Sequence, residues 1–97
     1  MQVTYTFRHM EGSDALKAAV EEHLDKIRRY VDDESAKLHV IYETQKHHQR
    51  AELNLWARGV KTSVHADSED MYQSVSQALD KLEKLLRRDK ERRKNHH

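Results

Sequence analysis

From Val3 the apolar positions alternate. Val3, Tyr5 and Phe7 fall on one face of an extended chain, and Thr4, Thr6 and Arg8 fall on the other, the period of a half-buried strand. Met10-Glu11-Gly12 breaks that period, and Ser13 or Asp14 is placed to cap a helix. Its apolar residues Leu16, Val20, Leu24, Ile27 and Val31 are spaced 4, 4, 3 and 4 apart, which makes one stripe. Asp32-Asp33-Glu34 then marks a turn. Alternation returns three times, in Leu38, Val40 and Tyr42, in Ala51, Leu53, Leu55 and Ala57, and in Val60, Thr62, Val64 and Ala66. Residues 45–49 and the pair Arg58-Gly59 read as hairpin connections. From Ser68 the period is helical again, through Met71, Val75, Ala78, Leu82 and Leu86.

The order β-α-β-β-β-α predicts an α/β (α+β) domain with two helices packed on one face of a four-stranded mixed sheet. The strand–helix–strand start implies a right-handed crossover if its first two strands pair in parallel, with the hairpins adding antiparallel strands. The opposite face, carrying His39, Ile41, Trp56 and His65, then meets water or a partner. Tyr5, Phe7 and Tyr42 fall on the core faces and read as packing residues, as does His23 at the edge of the first helix.

A chain of 97 residues is one domain with one modest core. The reading is a single binding domain over residues 1–94, with a short tail over 95–97. His96 and His97 fit a native end or a tag remnant equally. With no cysteine there is no disulfide, thiolate metal site or thiol nucleophile, which suits a reducing, cytoplasmic setting. No apolar run approaches the roughly 20 residues of a membrane span, and the opening residues carry no export signal. Phosphate-cradling glycine loops, nucleophile elbows and zinc-helix motifs are missing, so no catalysis and no cofactor is expected. His47-His48 falls in a predicted hairpin loop without a third ligand, and metal binding is not expected there.

Charge changes the picture. The net charge is only +1. Residues 1–80 carry 10 Lys+Arg against 14 Asp+Glu, while residues 81–97 carry 8 against 3. That asymmetry argues against indiscriminate polyanion binding and for a localised anionic partner. At 100° per residue, Lys81, Lys84, Arg88 and Arg92 make a stripe about 16 Å long on one flank of the second helix, with Arg87 on the other flank. Lys26 and Arg29 project outward from the first helix. The bland alternative is two solvated helix faces with cations favoured near a helix C-terminus. Trp56 lies opposite Leu53 and Leu55, where it can stack a nucleobase, meet a protein, or shelter beneath residues 45–49.

The chain resembles the ribosome hibernation factors, the family of the short hibernation promoting factor and protein Y, also called sigma-54 modulation proteins. The resemblance rests on M-E-G-S-D-A-L at residues 10–16 and K-I-R-R-Y at residues 26–30. It continues through Gly59, His65-Ala66, E-D-M-Y at residues 69–72, D-K-L at residues 80–82 and the basic tail. It implies the same β-α-β-β-β-α topology and binding to the small ribosomal subunit, on 16S rRNA, in the channel of mRNA and tRNA anticodon ends. Occupying that channel would block translation and store inactive ribosomes in stationary phase or stress. Carried over by position, Lys26, Arg29, Lys81, Lys84, Arg87 and Arg88 become the cations that face RNA, and Arg92 extends their stripe. Asp70 is expected in the first helical turn, Met71 on the core line and Tyr72 packed beside it. Ser74 stands where a small apolar residue is usual and is expected to matter little; Glu83 and Glu91 dilute the basic stripe. The short tail resembles factors that promote paired ribosomes with a second small partner, the isolated protein being a monomer. Two further readings compete: a protein-interaction module on the open sheet face around Trp56 and Ile41, and a general binder of double-stranded RNA.

Overall fold

Register organises the sheet. In a computed structural model that describes residues 1–94, β1 (Gln2–Arg8) pairs in parallel with β2 (Lys37–Gln45). β3 (His48–Ala57) and β4 (Val60–Ser68) then add in antiparallel fashion, in the order β1-β2-β3-β4. One row across the strands reads Tyr5, Val40, Leu53, Val64, and it faces the core. The next row reads Thr6, Ile41, Glu52, His65, and it faces away. The expected mixed sheet is therefore present, with both helical segments on one face.

The first helical stretch is two pieces, α1 (Asp14–Glu21) and α2 (Leu24–Arg28), where the apolar spacing predicts one helix. Ser13 caps α1 by accepting from the Leu16 N–H at 3.2 Å. The interruption has a local cause. His23 Nδ1 takes the Ala19 carbonyl at 3.0 Å, the acceptor its own backbone N–H would use in a continuous helix. That N–H turns instead to Val20 at 2.9 Å, a tighter i→i−3 closure. The stripe survives the break, because Leu16, Val20, Leu24 and Ile27 are all buried.

α3 (Met71–Lys94) lies over β3 and β4 and buries Met71, Val75, Ala78, Leu79 and Leu82. Two tyrosine hydroxyls tie the sheet to α1: Tyr42 donates to Leu16 O at 2.7 Å and Tyr5 donates to Lys17 O at 3.2 Å. Phe7 stacks on Tyr42 with ring centroids 5.3 Å apart. These three are packing residues, as their strand parity predicts.

Four details depart from the sequence reading. The polar stretch at 45–49 is mostly strand: only Lys46 and His47 turn, and Gln45 pairs with His48. Ile41 is buried although it lies on the open face, shielded among its row and strand neighbours Thr6, His39, Glu43 and Glu52. Tyr72 is 51% exposed, because it stands 100° past Met71 and so outside the buried stripe. Ser74, expected to matter little, is completely buried and hydrogen-bonded. His96 and His97 lie outside the described residues.

Candidate nucleic-acid interface

α3 starts at a built cap. Asp70 Oδ1 accepts the Tyr72 N–H at 2.9 Å, and Ser68 Oγ donates to the Asp70 carbonyl at 2.6 Å. With Met71, Val75 and Leu82 fixed in the core, the helical period leaves Lys81, Lys84, Arg87, Arg88 and Arg92 exposed. Lys26 and Arg29 are exposed as well, so all seven expected cations face solvent.

The structure divides them. Lys81 reaches across to edge strand β4, where its Nζ donates to the His65 carbonyl at 2.8 Å. That bond covers part of the sheet edge and fixes Lys81 beside Lys84; both border a shallow depression with Ser63, His65 and Leu85. One turn further along, Arg88 and Arg92 border a second depression of about 460 Å³, with Arg58 and Tyr30 on its rim and Val31 and Leu55 within. Arg29 belongs to a separate junction, where Lys90 Nζ donates to the Arg29 carbonyl at 3.2 Å. The same ammonium sits 5.8 Å from the Tyr30 ring centre, a cation–π distance. Arg87 lies three residues before Lys90 on the same flank. Neither Lys26 nor Arg87 borders the two depressions.

Two cations escaped the sequence reading as part of the site. Lys90 is half a turn of the helical wheel from Lys81, so a search for one stripe drops it. Arg58 reads from sequence as part of a hairpin turn, yet it lines the same depression as Arg88 and Arg92. Its place depends on the turn: Arg58 and Gly59 have φ of 53° and 75°, the consecutive left-handed residues of a type I′ hairpin. A second clasp holds that turn from 25 residues away, the Arg58 N–H donating to Asp33 Oδ2 at 3.0 Å. Asp33 Oδ1 accepts the Ser35 hydroxyl at 2.6 Å and the Ser35 N–H at 2.9 Å. Hydrogen bonds from Ser35, then from the Arg58 backbone, hold the Asp33 carboxyl below the usual carboxylate range.

Trp56 is 41% exposed on the open face, at the opposite end of β3 from the turn at Lys46 and His47, so that turn does not shelter it. Lys61 Nζ lies 5.3 Å from its ring centre. The centre of the open face is polar and internally bonded. Ser63 Oγ donates to Asn54 Oδ1 at 2.6 Å, and Asn54 Nδ2 donates to Glu52 at 3.0 Å. With Ile41 buried, Trp56 is the large exposed apolar side chain of this face among the described residues.

Residues 3–94 match the family model described as sigma 54 modulation protein / S30EA ribosomal protein. The chain belongs to this family. S30EA relatives similar to it include a ribosome hibernation promoting factor of Azotobacter vinelandii, 32% identical over 95% of this chain and 85% of that one. The factor of the same name from Escherichia coli (strain K12) is 26% identical over 99% of this chain and 100% of its own. Among solved structures, the Thermus thermophilus protein Y N-terminal domain superposes with a TM-score of 0.81 at 28% identity, covering 91% of this chain and 98% of that one. A ribosomal subunit interface protein from Coxiella burnetii gives 0.80 at 26% identity, covering 93% and 98%. The S30EA fold and the topology read from hydrophobic periodicity are the same.

Proposed function

We propose that this chain is a ribosome-associated translation inhibitor that works by occlusion, without chemistry and without a cofactor. Residues 1–94 form one ribosome-binding domain that occupies the mRNA/tRNA channel of the small subunit, on 16S rRNA, and keeps ribosomes inactive in stationary phase or stress. The protein acts in the cytoplasm as a monomer, with a second small factor where ribosomes pair.

One observation carries this reading. The family match runs from residue 3 to residue 94, through the whole of α3, whose solvent side carries Lys81, Lys84, Arg88 and Arg92. Phosphate contacts from these residues and from Lys26, Arg29 and Arg87 supply affinity, while the shape of a folded RNA channel supplies selectivity. The deficit of cations before residue 81 works against loose binding to any duplex.

Cosedimentation with purified small subunits, large subunits and whole ribosomes tests it, at two salt concentrations and with an unrelated duplex RNA as competitor. The expected result is binding to small subunits and whole ribosomes that resists the competitor. No binding to small subunits would overturn the proposal.

A further inference from the structure

The stripe on α3 leaves Trp56 unexplained. Around it lies an open pocket of about 460 Å³ lined by Asp33, Ser35, Lys37, Trp56, Arg58 and Gly59. Strand register puts Lys37 of β2 on one side of Trp56 and Lys61 of β4 on the other. Lys61 lies over the ring and is not part of the pocket lining; the cavity is on the Lys37 side. The indole is therefore steadied from one side and open from the other.

Arg58 and Ala57 also line the depression that holds Arg88 and Arg92. Arg58 thus joins two neighbouring cavities around the end of the sheet, and a cationic path runs from α3 to the indole. We propose that the Trp56 pocket takes one unpaired nucleotide of a single RNA strand, the base stacked on the open side of the indole and the phosphates met by Lys37 and Arg58. The strand then continues past Arg58 toward Arg88. The inference deepens the RNA-binding reading and rests on it for the choice of RNA.

The chemistry supports this occupant. A stacked base needs an exposed aromatic ring, and a strand needs cations at its backbone; single-strand binders combine the two. The volume is in the range of sites that hold one small molecule. A duplex offers no free base face, so it has nothing to place on Trp56. The two Asp33 oxygens are engaged within the protein, accepting three hydrogen bonds from Ser35 and the Arg58 backbone N–H, and are not set out as ligands to the strand. That carboxylate instead holds the pocket wall in shape.

The chain contains one tryptophan, so the full protein reports on its own pocket. Titration with hexaadenylate should quench Trp56 fluorescence saturably, more tightly than hexauridylate, and a blunt RNA duplex should not compete. Arg58→Gln and Lys37→Gln should each weaken that binding severalfold. Trp56→Ala, checked for folding by circular dichroism, should lose about tenfold or more in affinity for labelled hexaadenylate by anisotropy. Binding without quenching, or with full affinity in Trp56→Ala, would overturn the pocket, as would no binding. Quenching by inorganic phosphate but not by adenosine monophosphate would reduce it to an anion site and overturn it too. Small-subunit cosedimentation run in parallel separates the two readings. Retained cosedimentation without quenching sinks the pocket alone, and quenching without cosedimentation sinks the ribosome reading alone.

Discussion

Ser74 Oγ donates to the Gln49 carbonyl at 2.5 Å, joining α3 to β3 inside the core. The same oxygen lies 2.6 Å from Ser68 Oγ, so the helix start, the end of β4 and the start of β3 meet at one buried hydroxyl. Ser74→Ala leaves the half-buried Gln49 carbonyl without that donor, beside a side-chain position that is fully buried. The expected cost is about 1–3 kcal/mol, the penalty for an orphaned buried polar group. Urea unfolding should show a lower midpoint with an unchanged slope. An unchanged midpoint would mean that water replaces the hydroxyl.

Tyr42 carries a pH signature. Its side chain is fully buried, and burial pushes its hydroxyl well above the ordinary tyrosine value, with smaller contributions from Tyr5 and Tyr72. A raised acid contributes stability that is fully present below the unfolded value, about 10, and is lost as pH rises beyond it. Tyr42→Phe removes the bond to Leu16 and keeps a ring to stack on Phe7. It should cost about 1 kcal/mol at neutral pH and flatten the alkaline loss of stability. Urea melts at neutral pH and above about pH 10 check both halves; an equally steep alkaline loss in the variant would assign it to another group.

What was legible from sequence is what depends on periodicity. Tyr5, Val40, Leu53 and Val64 share a row because period-2 patterns leave one core-facing register. Met71 to Leu82 orient α3, and with it the exposure of Lys81, Lys84, Arg88 and Arg92. What escaped depends on contacts between distant residues or on competition for one atom. The break at His23 arises because a ring nitrogen takes the Ala19 carbonyl, which apolar spacing cannot register. Arg58 joins two cavities only once Asp33 has pinned its turn. Lys90 matters because α2 ends beside it, a fact of tertiary packing.

Asp33→Asn tests the clasp between the loop after α2 and the β3–β4 turn. The amide cannot accept on both sides as the carboxylate does, so the Arg58 or Ser35 bonds weaken. Asp33 is held below its ordinary range, so its contribution is present above that range and lost as pH falls through the lowered value. The variant should be less stable than the native chain at neutral pH, and the gap should close in acid. Amide exchange at Arg58 should also quicken in the variant. A gap that stays constant into strong acid would show that the carboxylate charge is not what holds the turn.

Reversing Lys84 and Arg88 to Glu asks whether the exposed flank of α3 binds RNA or merely keeps the helix in water. Both residues are exposed, so the double variant should unfold within about 0.5 kcal/mol of the native chain. If each cation neutralises one phosphate, binding to small subunits should fall by about tenfold or more, and the log–log salt slope should lessen by about two. The slope carries more information than the affinity. A general loss of fit would weaken binding at every salt concentration alike, whereas removal of released counterions changes its salt dependence. Arg87→Glu supplies the internal comparison, because Arg87 lies on the other flank beside Lys90 and borders neither depression. An effect confined to Arg87→Glu would move the RNA to the α2 side of the helix; an effect confined to the Lys84 and Arg88 pair would keep it on the path that leads past Arg58.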